Sequence, residues 1–223
     1  MTTMIIPGRF NGPPTSGNGG YSAGLVASHL DGYLAGARVR LHRPPPLDTE
    51  LSVQHEDGVR VLHGDEVIAT AVRDTVEEVV APVSHAEAVT ASKAYYGFVE
   101  HPFPTCFVCG PERADGLRIF PGRLPDGRAA APFDVPEDVS PAMVWASLDC
   151  PSGWAVPLES RPYVLGEIAV RIEALPEPGD HCVVVSERTG EDGRKGFARS
   201  TLYSPTGAVL ATARATWVAL PTA

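Results

Sequence analysis

The feature that most constrains the fold is an order of elements that occurs twice along the chain. In each half, one helix-forming segment rich in small residues, 20–35 or 141–154, precedes four strand-forming segments. A proline-containing break follows the first strand of each half, at 44–48 and at 176–180. Because the breaks fall at matching places, they indicate an internal duplication even where the residues differ.

The strand-forming segments are short, alternate polar and apolar residues, and are separated by turn residues, as in an antiparallel meander. They cover 37–43, 50–55, 59–63 and 66–75 in the first half and 167–174, 181–189, 196–203 and 208–219 in the second. We therefore expect an α+β fold of two units, residues 1–92 and 93–223. In each unit an antiparallel sheet wraps around a central helix, and edge-to-edge joining of the sheets would protect their edge strands. A single large β-sandwich with two inserted helices is the alternative.

The charge of the chain excludes some partners. A formal net charge of −9 argues against nucleic acid, whose binding needs a positive surface. No apolar stretch approaches the roughly 18 residues of a membrane span, and the N-terminal apolar patch is too short for a signal peptide. We expect a cytoplasmic protein that binds neither nucleic acid nor membrane, with its four cysteines as thiols.

Several stretches resemble the hotdog thioesterase superfamily. Asn18-Gly19-Gly20 is similar to the glycine pair that begins hotdog helices, and the segment 105–117, TCFVCGPERADGL, resembles the leader of PaaI-like hotdog domains. The segments 185–189, 193–199 and 207–212 resemble the last strands of double-hotdog acyl-CoA thioesterases of the thioesterase II type. The resemblance implies two tandem hotdog units that hydrolyse an acyl-CoA or acyl-carrier thioester. Coenzyme A would be part of the substrate, no separate cofactor is implied, and assembly into a homo-oligomer stays open.

The resemblance also implies one composite active site. Free N–H groups at a helix N-terminus favour developing negative charge, and glycine lets a thioester carbonyl approach them. The family carboxylate lies seven residues after the second glycine. Counted from Gly20, this position is Ala27, so the first helix has no acid there. The second helix has the acid, Asp149, but the residue seven positions before it is Ala142 rather than glycine. Gly20 would then polarise the carbonyl, and Asp149 would act as general base on water or, in a variant, as nucleophile.

Asp149 also has a structural interpretation. Pro151 disfavours helical geometry at Cys150, so the carboxylate could instead cap the turn that the proline forces. The sequence shows no histidine that would evidently form a catalytic triad with Cys150, so we treat Cys150 as a small buried residue.

Other site residues follow from the same resemblance. Thr189 occupies the position of a water-binding hydroxyl, while Ala215 stands where the thioesterase II type has a glutamine. Thr216, Glu167 or a backbone group would then have to position the water.

Substrate binding is expected at two places. Asn18 and Gly19 lie at the start of the first helix, where the carbonyl would bind. Arg194 and Lys195, in a turn between strands, could contact coenzyme A phosphates, although an ordinary solvated turn explains them equally well.

Cys106 and Cys109 have the spacing of half a zinc site, and His101 lies five residues upstream. A second pair is missing, and Cys150 and Cys182 are isolated in the sequence. Because the segment resembles the leader of non-metal hotdogs, we predict a packing role and no metal.

Two rival functions remain. A hotdog dehydratase or hydratase usually uses a helix histidine, and the only one here, His29, does not match that position. A non-catalytic acyl-CoA-binding module is the other rival, favoured by the missing glutamine.

Overall fold

Eleven strands form one continuous antiparallel sheet in the computed structural model, which describes residues 2–156 and 162–220. The strands are β1 (Thr2–Met4), β2 (Ala37–Leu41), β3 (Leu51–Glu56), β4 (Gly58–His63), β5 (Glu66–Arg73), β6 (Gly122–Arg123), β7 (Ala129–Asp134), β8 (Tyr163–Ile172), β9 (His181–Asp192), β10 (Lys195–Tyr203) and β11 (Val209–Ala219). The α-helices are α1 (Gly19–Ala27), α2 (His85–Ser92) and α3 (Pro141–Ala155).

The sheet order reveals the duplication. Strands follow one another as β1-β3-β4-β5-β2-β8-β11-β10-β9-β7-β6, so the order of the first half is repeated in reverse beyond the central β2–β8 pair. In that pair Val39 lies opposite Ile168. The expected α+β fold of two sheet-and-helix units joined edge to edge is confirmed, and the β-sandwich alternative is wrong.

All eight strands predicted from the sequence are present, and three further strands were missed. β1 has only three residues, and β7 consists largely of alanine with Pro132 inside it, so neither has a strong strand pattern. β1 and β7 are equivalent strands that pair with β3 and β9 and precede α1 and α3. The short β6 pairs with β7.

The first helix is shorter than predicted. α1 ends at Ala27 rather than at residue 35, and a 3-10 turn at Tyr33–Ala35 precedes β2. Gly32 has a φ of 64°, a left-handed conformation that interrupts the helical path.

α3 continues through Pro151 to Ala155, in agreement with the predicted helix at 141–154, and the turn considered at Pro151 does not form. Buried serines on neighbouring strands bind its carbonyl groups. The Ser186 hydroxyl donates to the Pro151 carbonyl at 2.7 Å, and the Ser200 hydroxyl donates to the Leu148 carbonyl at 2.8 Å. These bonds tie the end of α3 to β9 and β10.

Two glycines let α1 and α3 approach each other closely. A Cβ added to Gly20 would overlap the Asp149 Cβ and lie 2.7 Å from the Trp145 carbonyl oxygen. A Cβ on Gly24 would lie 2.8 Å from the Ala142 Cα. The contact holds Asp149 against the first turn of α1.

α2 lies on the sheet face opposite α3. Ser84 begins it with a capping box that includes Glu87, and its Ala88 packs into a small apolar cluster with Val183 and Val185 of β9. Within residues 2–156 and 162–220, each helix is too short or too polar to span a bilayer.

Candidate active site between the two helices

The Asp149 carboxylate lies at the N-terminus of α1 and is 1% exposed. Its Oδ2 accepts hydrogen bonds from the Gly20 N–H at 2.8 Å and from Asn18 Nδ2 at 3.3 Å. Its Oδ1 is buried and has no hydrogen-bond partner among the described residues. The interpretation that Asp149 caps a turn after Pro151 is therefore wrong, because the acid bonds across to the other unit.

Asn18 fixes the orientation of the Asp149 carboxylate against the start of α1. Its Oδ1 caps α1 by accepting the Tyr21 N–H at 2.9 Å, which turns Nδ2 towards Asp149. The side chain is 2% exposed, so it is a positioned donor rather than a mobile surface group.

The structure changes which backbone amide is available to a substrate. The Gly20 N–H, expected from the sequence to polarise a carbonyl, is occupied by Asp149. The N–H of Gly19, the first residue of α1, makes no hydrogen bond within the described part of the chain, and Gly19 lines a cavity. Gly19 is therefore the open donor at this helix end.

The cavity has a volume of about 350 Å³ and contains Asp149, Asn18 and Gly19 in its wall. Its other walls are mainly apolar, and its exposed rim includes basic side chains of the loop after β2. The lining residues include Leu165, Trp154, Trp217, Val218, His42 and Arg43.

Burial raises the pKa of Asp149 from 3.8 to about 7, while the hydrogen bonds from Gly20 and Asn18 act in the opposite direction. A carboxyl group that titrates near neutral pH has the base strength suited to proton transfer from water.

One wall of the cavity is fixed by Trp217. Its Nε1 donates to the Ser152 hydroxyl at 2.9 Å, and that hydroxyl donates to the Asp149 carbonyl oxygen at 2.7 Å. Gly153 leaves room for the ring, since a Cβ there would lie 2.7 Å from the indole.

The mirror-related position between the helices has no functional group. Ala27 of α1 and Ala142 of α3 occupy it, and both are buried. The arrangement thus has one acid and one glycine-lined helix end per chain.

The structure does not bring Thr189 to Asp149. Thr189 is the extra residue of a bulge in β9, because Arg188 pairs with Ala198 and Gly190 with Phe197. It is exposed and lines a separate cavity of about 310 Å³ together with Glu167, Ala215 and Thr216, in which Asp149 has no part. The water-binding role expected for Thr189 has no support at this position.

Arg194 lies in the turn between β9 and β10 and Lys195 is the first residue of β10; both are exposed, and neither lines the Asp149 cavity. They lie near its edge, since Lys195 pairs with Val218, a lining residue. The basic residues that do line the rim are His42 and Arg43, which the sequence interpretation assigned to no site. Their signal was a basic pair directly before a proline break at a strand end.

The thiols of Cys106, Cys109 and Cys150 lie together on the same cavity wall, with sulfur atoms within 4.8 Å of one another. The interpretation that Cys150 is isolated is wrong, because α3 carries it to the leader segment. Cys182 lies buried on β9, outside this group.

Comparison with known proteins establishes the fold. No family model matches the chain, and no curated protein matches it. It is similar to a hot dog fold protein of unknown function from Alicyclobacillus acidocaldarius, with 14% identity, a TM-score of 0.62, and 99% of this chain and 93% of that chain covered. The tesB protein of Mycobacterium avium subspecies paratuberculosis is 12% identical, with a TM-score of 0.61, and the match covers 98% of this chain and 92% of that chain. The acyl-CoA thioesterase II TesB2 of Mycobacterium marinum is also 12% identical, with a TM-score of 0.54, and the match covers 93% of this chain and 91% of that chain. At these identities the likeness shows that the chain has the hotdog fold, in the duplicated form that its sheet order describes.

Proposed function

We propose that this double-hotdog protein hydrolyses acyl thioesters of coenzyme A or of an acyl carrier, at one site per chain between α1 and α3. The observation that carries the proposal is the Asp149 carboxylate, which lines the cavity, is held by Gly20 and Asn18 through Oδ2, and has a buried Oδ1 without a hydrogen-bond partner among the described residues. The name of the Mycobacterium marinum relative agrees with this chemistry.

In the proposed reaction, the ionised Asp149 carboxylate accepts a proton from a water molecule, and the water oxygen attacks the thioester carbonyl carbon. The N–H of Gly19 stabilises the oxyanion that forms. Collapse of this intermediate breaks the C–S bond, and the leaving thiolate takes the proton from Asp149. The products are a carboxylic acid and a thiol, and the enzyme is restored.

The hydrogen bonds at Oδ2 favour general-base action over nucleophilic attack. They fix the carboxylate against α1 and use Oδ2, while Oδ1 has no hydrogen-bond partner among the described residues. A single turnover in ¹⁸O-labelled water tests this directly, because a general base sends the label into the acid product. In an acyl-anhydride mechanism, water that attacks the aspartyl carbonyl would place the label on Asp149, so label on Asp149 would contradict general-base action.

The walls suggest how the two ends of the substrate lie. Leu165, Trp154 and Trp217 offer apolar surface to the acyl group. The exposed Arg43 at the rim suits the phosphates of coenzyme A, although it also pairs with Glu66 at 2.6 Å.

The experiment is to incubate the protein with a panel of acyl-CoAs and to measure released thiol. We expect Asp149→Asn to lower kcat by about 10²- to 10⁴-fold, the usual contribution of a positioned base. Asp65→Asn, in an exposed turn, is the matched control and should leave the rate unchanged. Wild-type rates in Asp149→Asn would contradict the proposal.

A non-catalytic acyl-CoA-binding module is the second candidate, because Thr189 and Ala215 lie in the other cavity and Gly20 is already occupied. Tight binding without thiol release in the same panel would select it. The dehydratase alternative gains no support, since His29 does not line the Asp149 cavity.

A further inference from the structure

Three buried thiols lie at the spacing of metal ligands. The Cys106 and Cys150 sulfur atoms are 3.8 Å apart, and the three atoms including Cys109 Sγ lie within 4.8 Å of one another. In a tetrahedral site with zinc–sulfur bonds of about 2.3 Å, two sulfur ligands are about 3.8 Å apart. We propose that the thiolates of Cys106, Cys109 and Cys150 bind one Zn²⁺ ion.

The leader segment forms a tight hydrogen-bonded turn around Cys106 and Cys109. The Cys106 N–H donates to the Phe103 carbonyl at 2.9 Å, and the Gly110 N–H donates to the Cys106 carbonyl at 2.9 Å. Gly110 is required for this tight turn, since a Cβ would lie 2.5 Å from the Cys106 nitrogen.

The third thiol comes from a different element. Cys150 lies on α3, whose end is bonded to β9 and β10, so its position does not depend on the leader. Asn18 Nδ2 lies 3.5 Å from the Cys150 sulfur and 3.9 Å from the Cys106 sulfur. An amide donor between two thiolates compensates part of their buried charge, as outer-shell groups do in metal sites.

His101 takes a supporting role in this site. Its Nδ1 accepts the Phe103 N–H at 2.9 Å, which places the proton of a neutral ring on Nε2. Nε2 lies 3.4 Å from the Cys109 sulfur and is therefore a hydrogen-bond donor to that thiolate rather than a ligand. The protein then supplies three donors, and a water molecule or another exogenous ligand completes the coordination from the cavity that all three cysteines line.

The ligand set defines the class of ion. Thiolates select zinc and other soft metals, whereas Mg²⁺ and Ca²⁺ prefer oxygen ligands. This inference does not rest on thioester hydrolysis, because metal binding and thiol release are measured separately.

The test uses the full-length protein, reduced and stripped of metal with a chelator, and titrated with Co²⁺. We expect one equivalent per chain with an intense sulfur-to-cobalt charge-transfer absorption that Zn²⁺ abolishes by displacement. Cys106→Ser, Cys109→Ser and Cys150→Ser should each weaken binding by at least about 100-fold. Cys182→Ser removes a buried thiol outside the group and should bind cobalt as wild type does.

His101→Gln separates the two roles of the imidazole. As a donor to Cys109, its loss should preserve the charge-transfer band and weaken binding by about 10-fold. A loss as large as that of Cys106→Ser would overturn the three-thiolate assignment by making His101 a ligand.

The wild-type protein decides the matter even if a cysteine variant fails to fold. Fully reduced protein that gives no sulfur-to-cobalt absorption, with all four thiols free after unfolding, would overturn the proposal. So would retention of the absorption in a folded Cys150→Ser variant, since α3 would then contribute no ligand.

Discussion

The buried acid predicts a specific pH dependence of stability. Burial raises the pKa of Asp149 to about 7 in the folded protein, against 3.8 for an ordinary aspartate. A folded pKa above the unfolded pKa gives stability that is fully present below about pH 4 and is lost as the pH rises to about 7. At about 1.4 kcal/mol per pH unit, the ionised carboxylate costs about 4 kcal/mol above neutral pH.

Asp149→Asn removes this cost without changing the shape of the side chain. The asparagine carbonyl oxygen can accept the same bonds from Gly20 and Asn18, and its amide replaces the unpartnered Oδ1. The variant should match wild type near pH 4 and exceed its free energy of unfolding by up to about 4 kcal/mol near pH 8.

Urea unfolding of chelator-treated wild type and variant, at several pH values, measures this difference. Comparing the two proteins at each pH cancels the titration of the other groups. Asp65→Asn, which removes an exposed carboxylate, is the control variant. A flat difference for Asp149→Asn, or one that falls with pH, would refute the electrostatic account of Asp149.

Three further predictions test the neighbourhood. Asn18→Ala removes a bond that lowers the Asp149 pKa, so in metal-free enzyme the rise of kcat/KM with pH should move to higher pH; an unmoved midpoint would contradict the contact. Gly24→Ala forces a Cβ within 2.8 Å of the Ala142 Cα and should cost about 1–3 kcal/mol in urea unfolding, whereas unchanged stability would show that the helices separate freely. Arg43→Ala should raise KM for acyl-CoA and reduce its salt dependence while kcat stays constant, and a KM equal to that of wild type would place the phosphates elsewhere.

Local chemistry in the sequence was sufficient for most of the fold. The eight predicted strands follow from the alternation of polar and apolar residues and from turn residues, and α3 follows from a Ser-Pro helix start. Each of these signals lies within a few residues of sequence. β1 and β7 were not predicted because their composition gives no clear strand signal, and they are strands through their pairing with β3 and β9. The predicted helix does not extend to residue 35, because Gly32, five residues after the end of α1, has a left-handed backbone conformation that composition does not report.

The candidate site was less accessible to sequence reasoning. The pairing of Asp149 with Gly20 followed from a counted spacing, but which amide stays open depends on where the carboxylate points. Thr189 was misjudged because a bulge shifts its facing within β9. Cys106 and Cys150 are 44 positions apart, so only the packing of the leader against α3 shows that their sulfurs are neighbours.

The alanines at the mirror position between the helices have a consequence for ligand stoichiometry. Ala27 and Ala142 provide neither a carboxylate nor a glycine-lined helix end, so the second of the two equivalent positions between the helices has no catalytic group. A homodimer of single hotdog units would carry every substitution in both sites, whereas this fused chain can vary one partner alone. Saturation with a non-hydrolysable thioester analogue should therefore require one molecule per polypeptide, and binding within a chain should be non-cooperative.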